Sequence, residues 1–120
     1  MSTLYEELGA PTIQLLVTRF YDEVFRSPVI QQLFQTDKEE IQRKQMLFLT
    51  QFLGGPSNYS AEFGHPKMRM RHLPHKIDEV AKNEWLRCMK KAIDSLELTD
   101  ELKNRLFQVF PPIASHMVNH

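Results

Sequence analysis

The chain has 120 residues, enough for one domain with its own apolar core and too few for two, so a single domain over 1–120 is expected. Its 15 basic residues are matched by 15 acidic ones, which removes any global field that would draw it to nucleic acid or an anionic membrane. One cysteine, Cys88, excludes an internal disulfide, a CxxC redox pair and a multi-cysteine zinc site.

The opening MSTLYEELGA carries acids where a secretion signal needs a basic and then an apolar run. No later segment reaches the ~18 uninterrupted apolar residues of a membrane span, so the expected location is cytoplasmic, with no membrane partner. Thr3 and Glu6 make a capping box for a short opening turn that Gly9 ends, and Pro11 suits the first turn of the next helix. Ile13, Leu16, Val17, Phe20 and Val24 then share one side of a 3.6-residue helix closed by Ser27-Pro28. Pro28 starts a short piece with Val29, Ile30, Leu33 and Phe34. Asp37 caps a helix running to LGG, with Ile41, Phe48 and Phe52 on one stripe and Gly54 as its stop. Residues 54–65, GGPSNYSAEFGH, read as a long loop, and a loop of this length in so small a domain has a function or wraps something. Pro66 opens a brief helix ended by Pro74, with Met68 and His72 one turn apart on the same face. Asp78 caps a helix through about Leu96 whose inner side takes Ala81, Trp85, Cys88, Met89 and Ala92. Thr99 caps the last, bent or broken around Pro111-Pro112, with Leu102, Leu106, Val109, Phe110, Ile113 and Met117 available to the core. No stretch alternates with period two, so the fold class is all-α.

Three polar groups fall where the apolar stripes run. Gln45 sits between Ile41 and Phe48, Tyr21 borders Phe20 and Val24, and Trp85 lies central on its own stripe. Each has a plain structural alternative: a satisfied core amide, a core aromatic with a wet hydroxyl, a packing indole. If the three converge, they make a small donor cluster in a greasy cavity, which suits a site that orients a small ligand. His65, His72 and His75 lack zinc spacing, and His75 reads as solvated. His72 is either a half-buried histidine bonded near a helix end or the one protein ligand of a haem iron, since the porphyrin supplies the other four. A haem also brings two carboxylates. Lys44 and Arg71 are the favoured cations for them, whereas Arg69 and Lys76 read as solvated.

Phe20-Tyr21, LGGP at 53–56, Tyr59, GHP at 64–66, MRMRHLP at 68–74, and Trp85 thirteen residues past His72 together resemble the truncated haemoglobins, second group, over nearly the whole chain. The resemblance implies a two-over-two helical sandwich around haem b, with the 54–65 loop wrapping the haem edge. It implies His72 as the proximal iron ligand and Tyr21, Gln45 and Trp85 as distal donors to a bound diatomic. Ile41 falls at the distal gate, where a smaller or polar residue can occur. Lys44, Tyr59 and Arg71 match positions that contact the haem or its propionates, and Phe48, Met68 and Trp85 join the cofactor-binding set. Phe34 falls where relatives can carry a tyrosine or histidine, so this pocket has one donor fewer.

The implied function is O2 binding, and binding of other diatomics, at a five-coordinate ferrous iron, in transport or scavenging. Donors fixed in a dry pocket stabilise the partial negative charge on the ligand. The same donors polarise a peroxide O–O bond, so haem peroxidase or NO/O2 redox chemistry is the second expectation. With no flavin or nicotinamide motif, electrons come from an unidentified donor. A cofactor-free helical interaction module is the alternative from another class.

Overall fold

The computed structural model describes residues 2–33, 37–64 and 77–119. Phe34, His65, Met68, Arg69, Arg71, His72, His75 and Lys76 therefore lie outside the described residues, together with the short helix expected between Pro66 and Pro74.

The described residues form α1 (Leu4–Leu8), α2 (Ala10–Arg26), a 3₁₀ turn (Gln31–Leu33), α3 (Lys38–Phe52), α4 (Asn58–Phe63), α5 (Glu79–Asp94), α6 (Asp100–Phe107) and α7 (Phe110–Met117), with no strand among them. Four helix starts follow from side chains that accept from otherwise orphaned backbone N–H groups. Thr3 accepts from Glu6 at 3.1 Å, Asp37 from Glu39 at 2.8 Å, Asp78 from Ala81 at 2.8 Å, and Thr99 from Leu102 at 3.2 Å. α1 ends at Gly9, whose φ of 82° lies in the left-handed region a side chain disfavours. The last helix breaks at Gln108-Val109, and Pro111 then falls in the first turn of α7, where its missing N–H leaves no bond unmade.

The fold is a two-over-two helical sandwich: α2 packs against α3 and α5, and α5 packs against α6 and α7. Its core is assembled from Ile13, Leu16, Phe20 and Val24 of α2, Leu49 of α3, Cys88, Met89 and Ile93 of α5, Leu106 of α6 and Phe110 of α7, all essentially without solvent contact. Truncating a ring such as Phe20 in this interior costs about 3–5 kcal/mol, through lost transfer energy and the cavity left behind.

Two departures from the sequence-based expectation have physical causes. The segment expected as a loop contains α4, a six-residue helix too short to announce itself by periodicity. It is stabilised from outside: Ser60 N–H donates to Gln51 Oε1 at 2.9 Å, and Gln51 Nε2 donates to Ser60 Oγ at 2.8 Å. The buried arc of α3 is also rotated from the Ile41–Phe48–Phe52 stripe. Phe48, Leu49 and Thr50 are buried, Ile41 and Gln45 are half-buried, and Phe52 is 38% exposed. Because α3 packs against both α2 and α4, its buried arc is wider than one stripe.

Candidate functional site

Tyr21 is 3% exposed in the fourth turn of α2, beside Phe20. Burial pushes its phenol well above the ordinary range, so it keeps its proton and remains a donor throughout physiological pH. Trp85, half-buried on α5, meets the same Phe20 ring. The Phe20–Tyr21 and Phe20–Trp85 centroid distances are 5.0 and 5.1 Å, and both pairs are edge-to-face. Such aromatic pairs add about 0.5–1.5 kcal/mol beyond burial and fix ring orientation. Phe20 is therefore a shared wall for the two donor rings. Its role was hidden in the sequence, where it is one apolar residue among many.

Gln45 lies half-buried on α3, one turn before Phe48 and Leu49. Ile41 is half-buried one turn further back. Phe48 is buried, stacked on Phe52 at 5.4 Å and edge-on to Tyr59 at 5.8 Å. Tyr59 is 6% exposed and leads to Phe63 at 5.0 Å. Lys44 is exposed with its ammonium 5.3 Å from the centre of the Phe63 ring, which places a cation at the margin of this aromatic group. Arg43 bridges α3 to α4 through Glu62 at 2.8 Å.

A second feature, invisible to local pattern, ties α2 to α5 next to Trp85. Ser27, buried at the end of α2, donates its hydroxyl to Glu84 Oε2. Arg87 donates to the same carboxylate at 2.6 and 3.0 Å. The Arg87 and Ser27 hydrogen bonds hold the Glu84 carboxyl down at about 2. Nearby, Cys88 is buried and its thiol is pushed up to about 11 by that burial, which makes it packing rather than a nucleophile.

A groove of about 370 Å³ lies between α2 and α3, lined by Val17, Thr18, Gln42, Arg43, Met46 and Leu47; it contains none of Tyr21, Gln45 and Trp85. It is polar along one side and carries no donor of the expected pocket.

The described residues fit a haem. They bring a phenol that burial keeps neutral, an indole locked by a shared ring, and broad apolar rings from Phe48, Phe52 and Tyr59, with Lys44 at the margin. A flat macrocycle with an apolar body and anionic edge needs that combination of surfaces.

A sequence model of bacterial-like globins matches residues 3–119. Group 2 truncated hemoglobin YjbI of Bacillus subtilis (strain 168) is 44% identical over 115 residues, 96% of this chain and 87% of the relative. The crystal structure of the group II truncated hemoglobin from Bacillus anthracis superposes with a TM-score of 0.94 at 39% identity, covering 99% of this chain and 92% of that one. The X-ray structure of the truncated oxygen-avid haemoglobin from Bacillus subtilis gives 0.93 at 42% identity, covering 98% and 100%.

Proposed function

The chain belongs to the bacterial-like globins and is a haem b protein that binds diatomic ligands; from that premise we propose that it is a single-domain O2-binding protein whose iron is held by His72. Haem, held through His72, would supply the ferrous iron that binds the diatomic. Everything else is done by this chain. Tyr21, Gln45 and Trp85 donate to the ligand, Ile41 gates the entry, and Phe34, Phe48, Met68 and Tyr59 contact the cofactor. Lys44 and Arg71 neutralise its carboxylates. The observation that carries this assignment is the buried, neutral Tyr21 phenol sharing the Phe20 wall with Trp85. The similar haemoglobin of Bacillus subtilis is oxygen-avid, which supports the same ligand here.

A polarised diatomic gains from neutral donors already oriented toward it, because no water has to be reorganised when charge develops. Two or three such bonds slow release. That is a poor property for delivery and a good one for scavenging, sensing or redox chemistry on the ligand, with electrons from a separate donor protein. Balanced charge, and the absence among the described residues of a helix long and apolar enough to cross a membrane, support a cytoplasmic protein without nucleic-acid or membrane partners.

Stopped-flow O2 dissociation from the wild type, Tyr21→Phe, Trp85→Phe and the double variant tests the proposal. Each hydrogen bond is worth about 1 kcal/mol net, so each single variant should release O2 about five- to tenfold faster. The double variant should depart from the product of the singles, because both rings lean on Phe20. Unchanged rates in both singles would remove these donors from the mechanism.

A further inference from the structure

Asn119, beyond the last helix, is bound to Ile77, the residue that follows the segment containing His72. Asn119 N–H donates to the Ile77 carbonyl at 2.8 Å, and Ile77 N–H donates back to Asn119 Oδ1 at 2.9 Å. The two residues are 42 positions apart and the bonds are partly buried. The tie is reciprocal: one asparagine satisfies both backbone groups of one residue, which fixes its rotation as well as its position. A single hydrogen bond would leave that rotation free.

Both partners are themselves anchored. Ile77 packs its side chain against the core, and Asp78 after it starts α5 by accepting from the Ala81 N–H. Asn119 lies two residues beyond α7, whose Phe110 and Ala114 are buried and whose Phe110 ring meets Trp85 at 5.8 Å. The tail thus connects the core of α7 to the start of α5 at Ile77. On the other side of residues 65–76, Gly64 N–H donates to Ser60 O at 2.9 Å, and Ser60 is held by the Gln51 amide. The chain is pinned where it enters residues 65–76 and where it leaves them.

We infer that Asn119 is a positioning residue for the segment that carries the proximal ligand: by holding both backbone groups of Ile77 it fixes the point, five residues after His72, where the chain leaves that segment. The inference rests on the assignment of His72 as that ligand. It adds a requirement that lies outside the pocket, just beyond α7.

The test uses the haem-loaded protein and three variants: Asn119→Ala, Asn119→Asp and His72→Ala. Asn119→Ala removes the acceptor of the Ile77 N–H and should speed haem transfer to an excess of apomyoglobin by about five- to tenfold, the equivalent of one hydrogen bond. The iron–histidine stretching band of the ferrous unliganded form should shift or broaden in the resonance Raman spectrum, a change that general destabilisation does not produce in the folded protein. Amide exchange at Ile77 should accelerate. Asn119→Asp keeps the acceptor oxygen and should restore all three to within about twofold. If Asn119→Ala speeds Ile77 exchange but leaves haem loss and the iron–histidine band as in wild type, the positioning role is wrong while the haem assignment stands. An Ile77 amide that exchanges freely in wild type overturns it too, even if Asn119→Ala fails to fold. If His72→Ala keeps its haem and its band, the ligand assignment itself fails, and the inference falls with it.

Discussion

Removing the charge of Glu84 should weaken the protein in a way that depends on pH, and the window follows from the geometry. The carboxylate accepts from Arg87 at 2.6 and 3.0 Å and from the buried Ser27 hydroxyl, and these bonds bring its pKa from 4.5 to about 2. A depression of this size corresponds to at most about 3 kcal/mol of stability at neutral pH. The Arg87 side chain is 53% exposed and the Glu84 side chain only 16%, so solvent screening of the guanidinium reduces this to about 1–2 kcal/mol. Because the folded pKa lies below the unfolded one, the contribution is complete above about pH 4.5 and disappears as the pH falls through about 2. Glu84→Gln keeps an acceptor for Ser27 and loses the ion pair. Urea unfolding followed by far-ultraviolet circular dichroism, for wild type and Glu84→Gln side by side, should show a gap of about 1–2 kcal/mol at pH 7 that closes between pH 4.5 and 2. The comparison between variants cancels the acid sensitivity of haem binding common to both. A gap that is absent at pH 7, or equally large at pH 2.5, would refute the reasoning.

Gly55→Ala should lower the thermal midpoint by several degrees, because a Cβ there meets the Tyr5 ring at 2.7 Å and the Thr50 carbonyl at 2.8 Å, and the carbonyl cannot step aside; scanning calorimetry of the haem-loaded protein reads this directly, and an unchanged midpoint contradicts it. Cys88 should react with a thiol reagent only upon unfolding, since it has no solvent contact and its thiol is pushed up to about 11; rapid labelling of the native protein at pH 7.5 would show that the α5 core opens.

Much of the architecture was readable because it is encoded within a few residues. Thr3, Asp37, Asp78 and Thr99 each cap a helix that begins one residue later, and each bond spans two or three positions. The α2 stripe was readable for the same reason: Ile13, Leu16, Val17, Phe20 and Val24 repeat at helical spacing, and all are buried. What escaped the sequence depends on partners far along the chain. α4 exists because Gln51 caps it across nine positions, Ser27 meets Glu84 across 57, and Asn119 meets Ile77 across 42. No local pattern contains those pairs. The buried arc of α3 differs from its stripe for a related reason, since α3 packs against both α2 and α4 and buries Phe48, Leu49 and Thr50 together. Of the expected site, Tyr21 and Trp85 both contact one buried ring, Gln45 stands half-buried on α3, and His72 lies outside the described residues.

On the proposed assignment, the donors differ in how firmly the fold holds them, and this difference separates their tasks. Tyr21 and Trp85 sit on α2 and α5, the pair of helices joined by the Phe20 ring contacts and by the Ser27–Glu84–Arg87 bonds. Both rings pack edge-on against Phe20, a fully buried side chain in a close-packed interior, which restricts their rotation. Rings restricted in this way lose little freedom when a ligand binds, so the ordering cost is small. Gln45 is half-buried on α3, has three rotatable side-chain bonds, and follows Ile41 by one turn at the expected gate. Its amide must be ordered when the ligand binds, at about 0.5–1.5 kcal/mol. That offsets most of the roughly 1 kcal/mol its hydrogen bond returns. The rigid pair is then suited to setting how slowly a diatomic leaves, while the flexible amide beside Ile41 is suited to setting how readily one enters.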